Sequence, residues 1–169
     1  GAGQAQQGGM QPPPGAGMGL GNDAAVSAAM AMGAHGAWTG SMWLATSEAE
    51  TSQVIKEKYV LANSRQTVRS KARTGKYSRQ LRSPWTDAWE SDGAPEPLPM
   101  PLQTMVSEPA LDKINKAAEV DHEGAKKLAT YWVGQGIGLV DEKITAGQTV
   151  QKFKEEFIEA YERLNNFME

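Results

Sequence analysis

Gly33-Ala34-His35-Gly36-Ala37-Trp38-Thr39-Gly40-Ser41-Met42-Trp43-Leu44-Ala45-Thr46 is the stretch from which the rest of the chain is read. An alanine-rich helix precedes it, opening at Asn22 or Asp23, both good N-caps, and stopping at Gly33, a natural C-cap. Val26, Ala29, Met30 and Gly33 recur along one face of that helix, which predicts a core-facing stripe. A tight turn, a short apolar strand (Ala37-Trp38) and the turn Thr39-Gly40-Ser41 follow. Ser47-Glu48-Ala49-Glu50 has the pattern of a capping box and predicts the start of a new helix. A helix thus feeds a strand, and the strand ends in a small hydroxyl-bearing glycine turn. Backbone N–H groups beyond a strand's carboxyl end can face an anion. The spacing alone establishes an anion-compatible turn and fits a plain turn equally well.

The wider pattern is more specific. Ala29-x-Ala31-x-Gly33-Ala34-x-Gly36-x-Trp38-Thr39-Gly40-Ser41-x-Trp43-Leu44-x-Thr46-x-Glu48-Ala49-Glu50 resembles the last β/α unit of the nitronate monooxygenase (2-nitropropane dioxygenase-like) flavoenzymes. The resemblance implies an FMN-binding TIM barrel whose turn after the eighth strand, here Thr39, Gly40 and Ser41, receives the FMN phosphate. A companion phosphate loop is implied at Gly19-Leu20-Gly21, where Met18 replaces the family's first glycine and the preceding apolar strand is missing. Gly19 and Gly21 complete the implied cofactor-binding set.

A chain of 169 residues is short of the ~200 that a TIM barrel needs at minimum. The fold expected is therefore α/β: the carboxyl-terminal portion of such a barrel with a helical extension, helix-dominated as it stands. Net charge is −3 and cysteine is absent, so neither a nucleic-acid-seeking field nor a disulfide or thiolate zinc framework is expected. No apolar run approaches a membrane span and no signal-peptide core is visible, which suits a cytoplasmic protein. Residues 1–18, rich in Gly, Gln, Pro and Ala, read as low-complexity and disordered.

Residues 19–63 then form the last barrel unit, with an amphipathic helix from Glu50 to Asn63. Residues 64–101 form a basic arm and a proline-rich linker. Arg65 to Arg82 holds seven cations and no acid, yet Tyr77 is its one aromatic and its halves flank Thr74-Gly75-Lys76, which predicts a hairpin rather than a nucleic-acid surface. Ser83 and Pro84 open a short helix that puts Trp85 and Trp89 on one face. Prolines 95, 97, 99 and 101 make a stiff linker.

Residues 102–169 read as a helical segment. Ser107 is expected to cap a helix carrying Leu111, Ile114 and Ala118. Asp121-His122-Glu123 reads as a solvated polar turn, because adjacent residues diverge and no second cluster supplies metal ligands. Tyr131-Trp132-Val133-Gly134-Gln135-Gly136-Ile137-Gly138 lets backbone approach a ligand closely, but lacks the setting of a dinucleotide fingerprint. By the family resemblance Trp132, Gly134 and Gln135 lie near the flavin and substrate cavity. Thr145 with Gln148 opens a final docking helix with the stripe Val150, Phe153, Phe157, Tyr161 and Leu164. Met30, Phe153 and Phe157 are expected on incompletely covered surfaces, because barrel helices here lack most of their strands.

No catalytic residue is identified and no metal site is expected. In the family FMN does the redox chemistry, and a histidine on an earlier barrel strand serves some members as base. The reaction implied is oxidation of an alkyl nitronate by dioxygen. The alternatives are NAD(P)H-dependent enoyl thioester reduction on the same barrel, or a non-catalytic docking role. Expected partners are a small-molecule substrate and either the remaining barrel or a second copy, with neither nucleic acid nor membrane.

Overall fold

The computed structural model describes residues 23–36 and 38–167. The expectations for residues 1–18, for Gly19 and Gly21, and for Ala37 lie outside these described residues. Six α-helices, three short 3-10 helices and one two-stranded sheet occur among the described residues: α1 (Asp23–Ala31), α2 (Gln53–Leu61), β1 (Thr67–Ser70), β2 (Ser78–Leu81), α3 (Pro84–Trp89), α4 (Leu102–Glu119), α5 (Glu123–Leu128) and α6 (Ala146–Asn165) are the longer elements. The molecule is helix-dominated, as expected.

α1 ends as Gly33 requires. Gly33 has φ +97°, and its N–H and that of Ala34 return to the carbonyls of Met30 and Ala29. This pair of bonds is the Schellman closure that favours glycine. Of the short strand expected at Ala37-Trp38 only Trp38 is described, and it is irregular and wholly exposed. A strand takes its hydrogen bonds from neighbouring strands, and the two-stranded sheet among the described residues does not include Trp38. The polypeptide instead turns at Gly40-Ser41 into a one-turn 3-10 helix, Trp43–Ala45.

The capping box expected at Ser47 is displaced. α2 opens at Gln53 with Ser52 as its cap, accepting from the Ile55 N–H. Glu48 is occupied elsewhere: its carboxylate accepts from the Ala146 N–H at 2.9 Å and from the Ser47 hydroxyl. The bond from Ala146 leads the effects that hold this carboxyl below the usual range. Residues 47–48 therefore dock the start of α6, with Ser47 N–H also donating to the Ile144 carbonyl. Thr145 and Gln148 cap α6 reciprocally as predicted.

The basic arm is an antiparallel hairpin with Thr67 opposite Leu81 and Ser70 opposite Ser78. Its free edge is extended by Tyr131–Val133, since Leu81 N–H donates to the Tyr131 carbonyl and Val133 N–H to the Arg79 carbonyl, both at 3.0 Å. The tip folds under the proline-rich linker. A Cβ on Gly75, at φ +80°, would lie 2.2 Å from the Leu98 carbonyl oxygen, so only glycine fits there.

α4 corrects the reading of Ser107. The helix starts at Leu102 and runs through Pro109, and Ser107 lies inside it, fully buried. Its hydroxyl donates to the Arg73 carbonyl and the Gln103 amide donates to the Ala72 carbonyl, pinning α4 to the hairpin tip. The Ser-Glu-Pro sequence imitates a helix start; its serine serves a carbonyl across the chain instead. Asp121-His122-Glu123 is the polar turn expected: His122 Nδ1 accepts from Ala125 N–H to cap α5, and Lys126 pairs with Asp121 and Glu123.

The core gathers Ala45, Ile55, Tyr59, Leu81, Ala129, Val133, Ile137 and Val140. It binds α2, β2 and the segment after Tyr131 into one body. α6 packs on α1, with Phe153 against Trp43 at 5.9 Å between ring centroids. Its apolar stripe is only partly covered: Tyr161 and Leu164 stay more than half exposed, Met30 is 42 % exposed, and Phe153 and Phe157 are half-buried.

Candidate functional site

Two glycine-rich stretches far apart in sequence meet at one cleft. It measures about 230 Å³ and is lined by Trp38, Thr39, Gly40, Ser41, Met42, Gly134, Gln135, Gly136 and Val140. The Gly134 N–H donates to Ser41 Oγ at 2.6 Å, which ties the two walls together.

Each wall is held from behind. On the first, the Trp43 indole N–H donates to the Thr39 hydroxyl at 2.9 Å and the Trp43 backbone N–H to the Gly40 carbonyl. On the second, Val133 is locked to Arg79, and Ile137, fully buried, anchors the 3-10 turn Gln135–Leu139. Gly138 sits against Asn63 and Ser64, where a Cβ would come within 3.4 Å of backbone.

The first wall is rich in donors. Among the described residues no acceptor takes the N–H of Gly40, Ser41 or Met42. The Ser41 hydroxyl receives a hydrogen bond from Gly134 and keeps its own proton to give. A Cβ on Gly40 would meet nothing within 4 Å, so the glycine opens the turn to whatever enters the cleft. Such a set suits a phosphate group. The cleft is smaller than the roughly 300 Å³ at which ligand pockets begin, so it suits a small anionic group rather than a whole nucleotide.

Trp132 stands apart from Gly134 and Gln135. Its ring is not on the cleft but lies under the Arg73 guanidinium, 3.8 Å from the ring centroid. Arg73 is buried, makes a bidentate pair with Glu108 (2.7 and 3.0 Å) and also faces Tyr131. The Trp132 carbonyl accepts from the buried Tyr59 hydroxyl, whose pKa burial pushes well above the ordinary phenol range. Met42 and Val140 line the cleft without having been singled out by sequence; apolar residues in turns carry no pattern that marks them. His35 is exposed and off the cleft. No group of acidic and histidine residues that could hold a metal ion occurs among the described residues.

Comparison with known proteins shows the family. The nitronate monooxygenase family model matches residues 13–156. The chain is 46 % identical over 145 residues to a Mycobacterium tuberculosis protein named as a monooxygenase, covering 85 % of this chain and 38 % of that one. It is 28 % identical over 133 residues to a Bacillus subtilis protein named as a nitronate monooxygenase, covering 79 % of this chain and 36 % of that protein. Among solved structures it is similar to FabK from Thermotoga maritima, with TM-score 0.64 and 29 % identity over 88 % of this chain and 45 % of the other. It shares a fold with nitroalkane oxidase from Streptomyces ansochromogenes, with TM-score 0.71 and 23 % identity over 86 % of this chain and 39 % of the other. These neighbours are flavoenzymes of the TIM-barrel type, and the chain belongs to the nitronate monooxygenase family. It spans well under half the length of the curated relatives it matches.

Proposed function

We propose that the chain is the carboxyl-terminal part of an FMN-dependent TIM-barrel oxidoreductase that oxidises alkyl nitronates with dioxygen to a carbonyl compound and nitrite. Residues 19–63 form its last β/α unit, residues 64–101 its arm and linker, and residues 102–169 its helical extension. The supporting observation is the cleft in which Gly40-Ser41 and Gly134-Gln135 face one another. Thr39, Gly40 and Ser41 hold the cofactor's phosphate, with Gly19 and Gly21 as the companion loop. Gln135 and Gly134 border the flavin and substrate space, with Trp132 placed behind them by Arg73.

When bound, FMN supplies the electron transfer; the protein's part is to bind and orient it. Ser41 donates its hydroxyl proton to a phosphate oxygen, the Gly40 to Met42 N–H groups add neutral donors, and Gly134 keeps the hydroxyl in place. The remaining barrel, or a second copy, covers the exposed side of α1 and α6. The substrate is a small molecule of the cytoplasm.

NAD(P)H-dependent enoyl thioester reduction is the second reading, kept because the structural likeness runs to FabK as well as to nitroalkane oxidase. The test replaces the matched part of the Mycobacterium tuberculosis relative with this chain and supplies FMN. Nitrite released from an alkyl nitronate in air is the expected result. Consumption of NAD(P)H with an enoyl thioester, without nitrite, selects the second reading, and absence of both leaves only docking.

A further inference from the structure

Gly134 has φ −87° and ψ 173°, a conformation open to any residue, so the backbone does not explain its glycine. Space explains it. A Cβ on Gly134 would lie 3.0 Å from Ser41 Oγ, tighter than side-chain contacts ordinarily become, and would push the hydroxyl away. The same residue's N–H donates to that oxygen at 2.6 Å across 93 positions of sequence. Its direction is fixed on both sides, by the Val133 N–H bond to Arg79 and by the buried Ile137 three residues on.

A serine hydroxyl has one proton and two acceptor sites. With one acceptor site filled by Gly134, the proton turns away from that N–H and stays available to a ligand between the loops. We propose that Gly134 is a positioning residue for a phosphate monoester, acting through Ser41: its N–H sets the hydroxyl as a donor and its missing Cβ leaves the hydroxyl in reach. The inference deepens the FMN reading and rests on it. It assigns the discrimination between phosphorylated and unphosphorylated flavin to a contact between the loops, so the second loop senses the phosphate although it need not touch it.

Two arms of one experiment test this on the chain labelled with 15N-glycine. Without ligand, the Gly134 amide exchanges about tenfold faster in Ser41→Ala than in wild type, and Ser41→Thr, which keeps an acceptor, restores the slow rate. With ligand, wild type prefers FMN to riboflavin, while Gly134→Ala loses about tenfold in FMN affinity and leaves riboflavin affinity unchanged. A general loosening of the fold lowers both ligands together, so an equal loss overturns the proposal. Exchange of Gly134 that is indifferent to Ser41→Ala also overturns it. Failure of the underlying FMN reading looks different: wild type then binds riboflavin as well as FMN although the exchange arm behaves as predicted, which removes the phosphate role from both residues.

Discussion

At the scale of single residues, Arg73 shows how the second wall of the cleft is supported. It stacks on Trp132, pairs with Glu108 and has its carbonyl taken by Ser107, so one side chain and its backbone join hairpin, α4 and the glycine loop. Removing one partner of a buried pair leaves a desolvated charge behind. Glu108 is 29 % exposed, so Glu108→Ala should cost about 3 kcal/mol, the lower end for such pairs, in urea unfolding. A loss below the scatter of exposed pairs would show that the clamp contributes little.

Lys58 gives a second test at this scale. Its ammonium donates to the Lys127 and Ala129 carbonyls at the end of α5, and burial pushes its pKa down to about 8. Between that value and the ordinary 10.5 the unfolded chain keeps a proton the folded chain has released. Stability therefore rises with pH from about 8 upward. Tyr59 opposes this at higher pH, because its raised pKa makes the folded chain keep a proton that the unfolded phenol loses near 10. Unfolding free energies at pH 7.5 to 9.5 should climb in wild type, and the climb should be smaller in Lys58→Met. Parallel slopes in the two proteins would remove Lys58 as the source.

At the scale of elements, local signals were legible and long-range ones were not. The Gly33 stop, the Thr145 cap and the hairpin about Gly75 are all set by bonds or dihedral angles within a few residues, so sequence spacing reveals them. Ser47 and Ser107 carry the same vocabulary but cap no helix. Glu48 is claimed by Ala146, 98 positions away, and Ser107 by Arg73, 34 positions away. A pattern read along the chain cannot see such partners. Trp38 is irregular for a related reason: strand bonds come from neighbours that local sequence does not describe.

The site was legible in two halves that nothing in spacing could join. Gly40-Ser41 was readable as a donor-rich turn and Gly134-Gln135-Gly136 as a place of close approach. Their meeting through the Ser41–Gly134 bond depends on β2, which carries Tyr131–Val133 on its edge and so delivers Gly134 to the turn. Trp132 alternates to the other face of that ribbon, toward Arg73, and this is why it left the cleft.

At the scale of the whole molecule, the core is small and lies around α2 and the glycine loop, while α1 and α6 keep apolar side chains in solvent. No described helix is long and apolar enough to cross a membrane. A cleft of about 230 Å³ is small for a whole flavin nucleotide. Affinity of the chain alone for FMN should accordingly be weak, since few contacts offset the ligand's lost freedom.

The most direct measurement is an FMN titration followed by flavin fluorescence, comparing wild type with Gly40→Val and Ser41→Ala. Gly40 lines the cleft and a Cβ there would meet nothing within 4 Å, so on the proposed reading a valine crowds the phosphate. The expected result is weak, saturable quenching in wild type, a loss of about 1–3 kcal/mol with Ser41→Ala and no saturable binding with Gly40→Val. FMN affinity in Gly40→Val equal to that of wild type would contradict it.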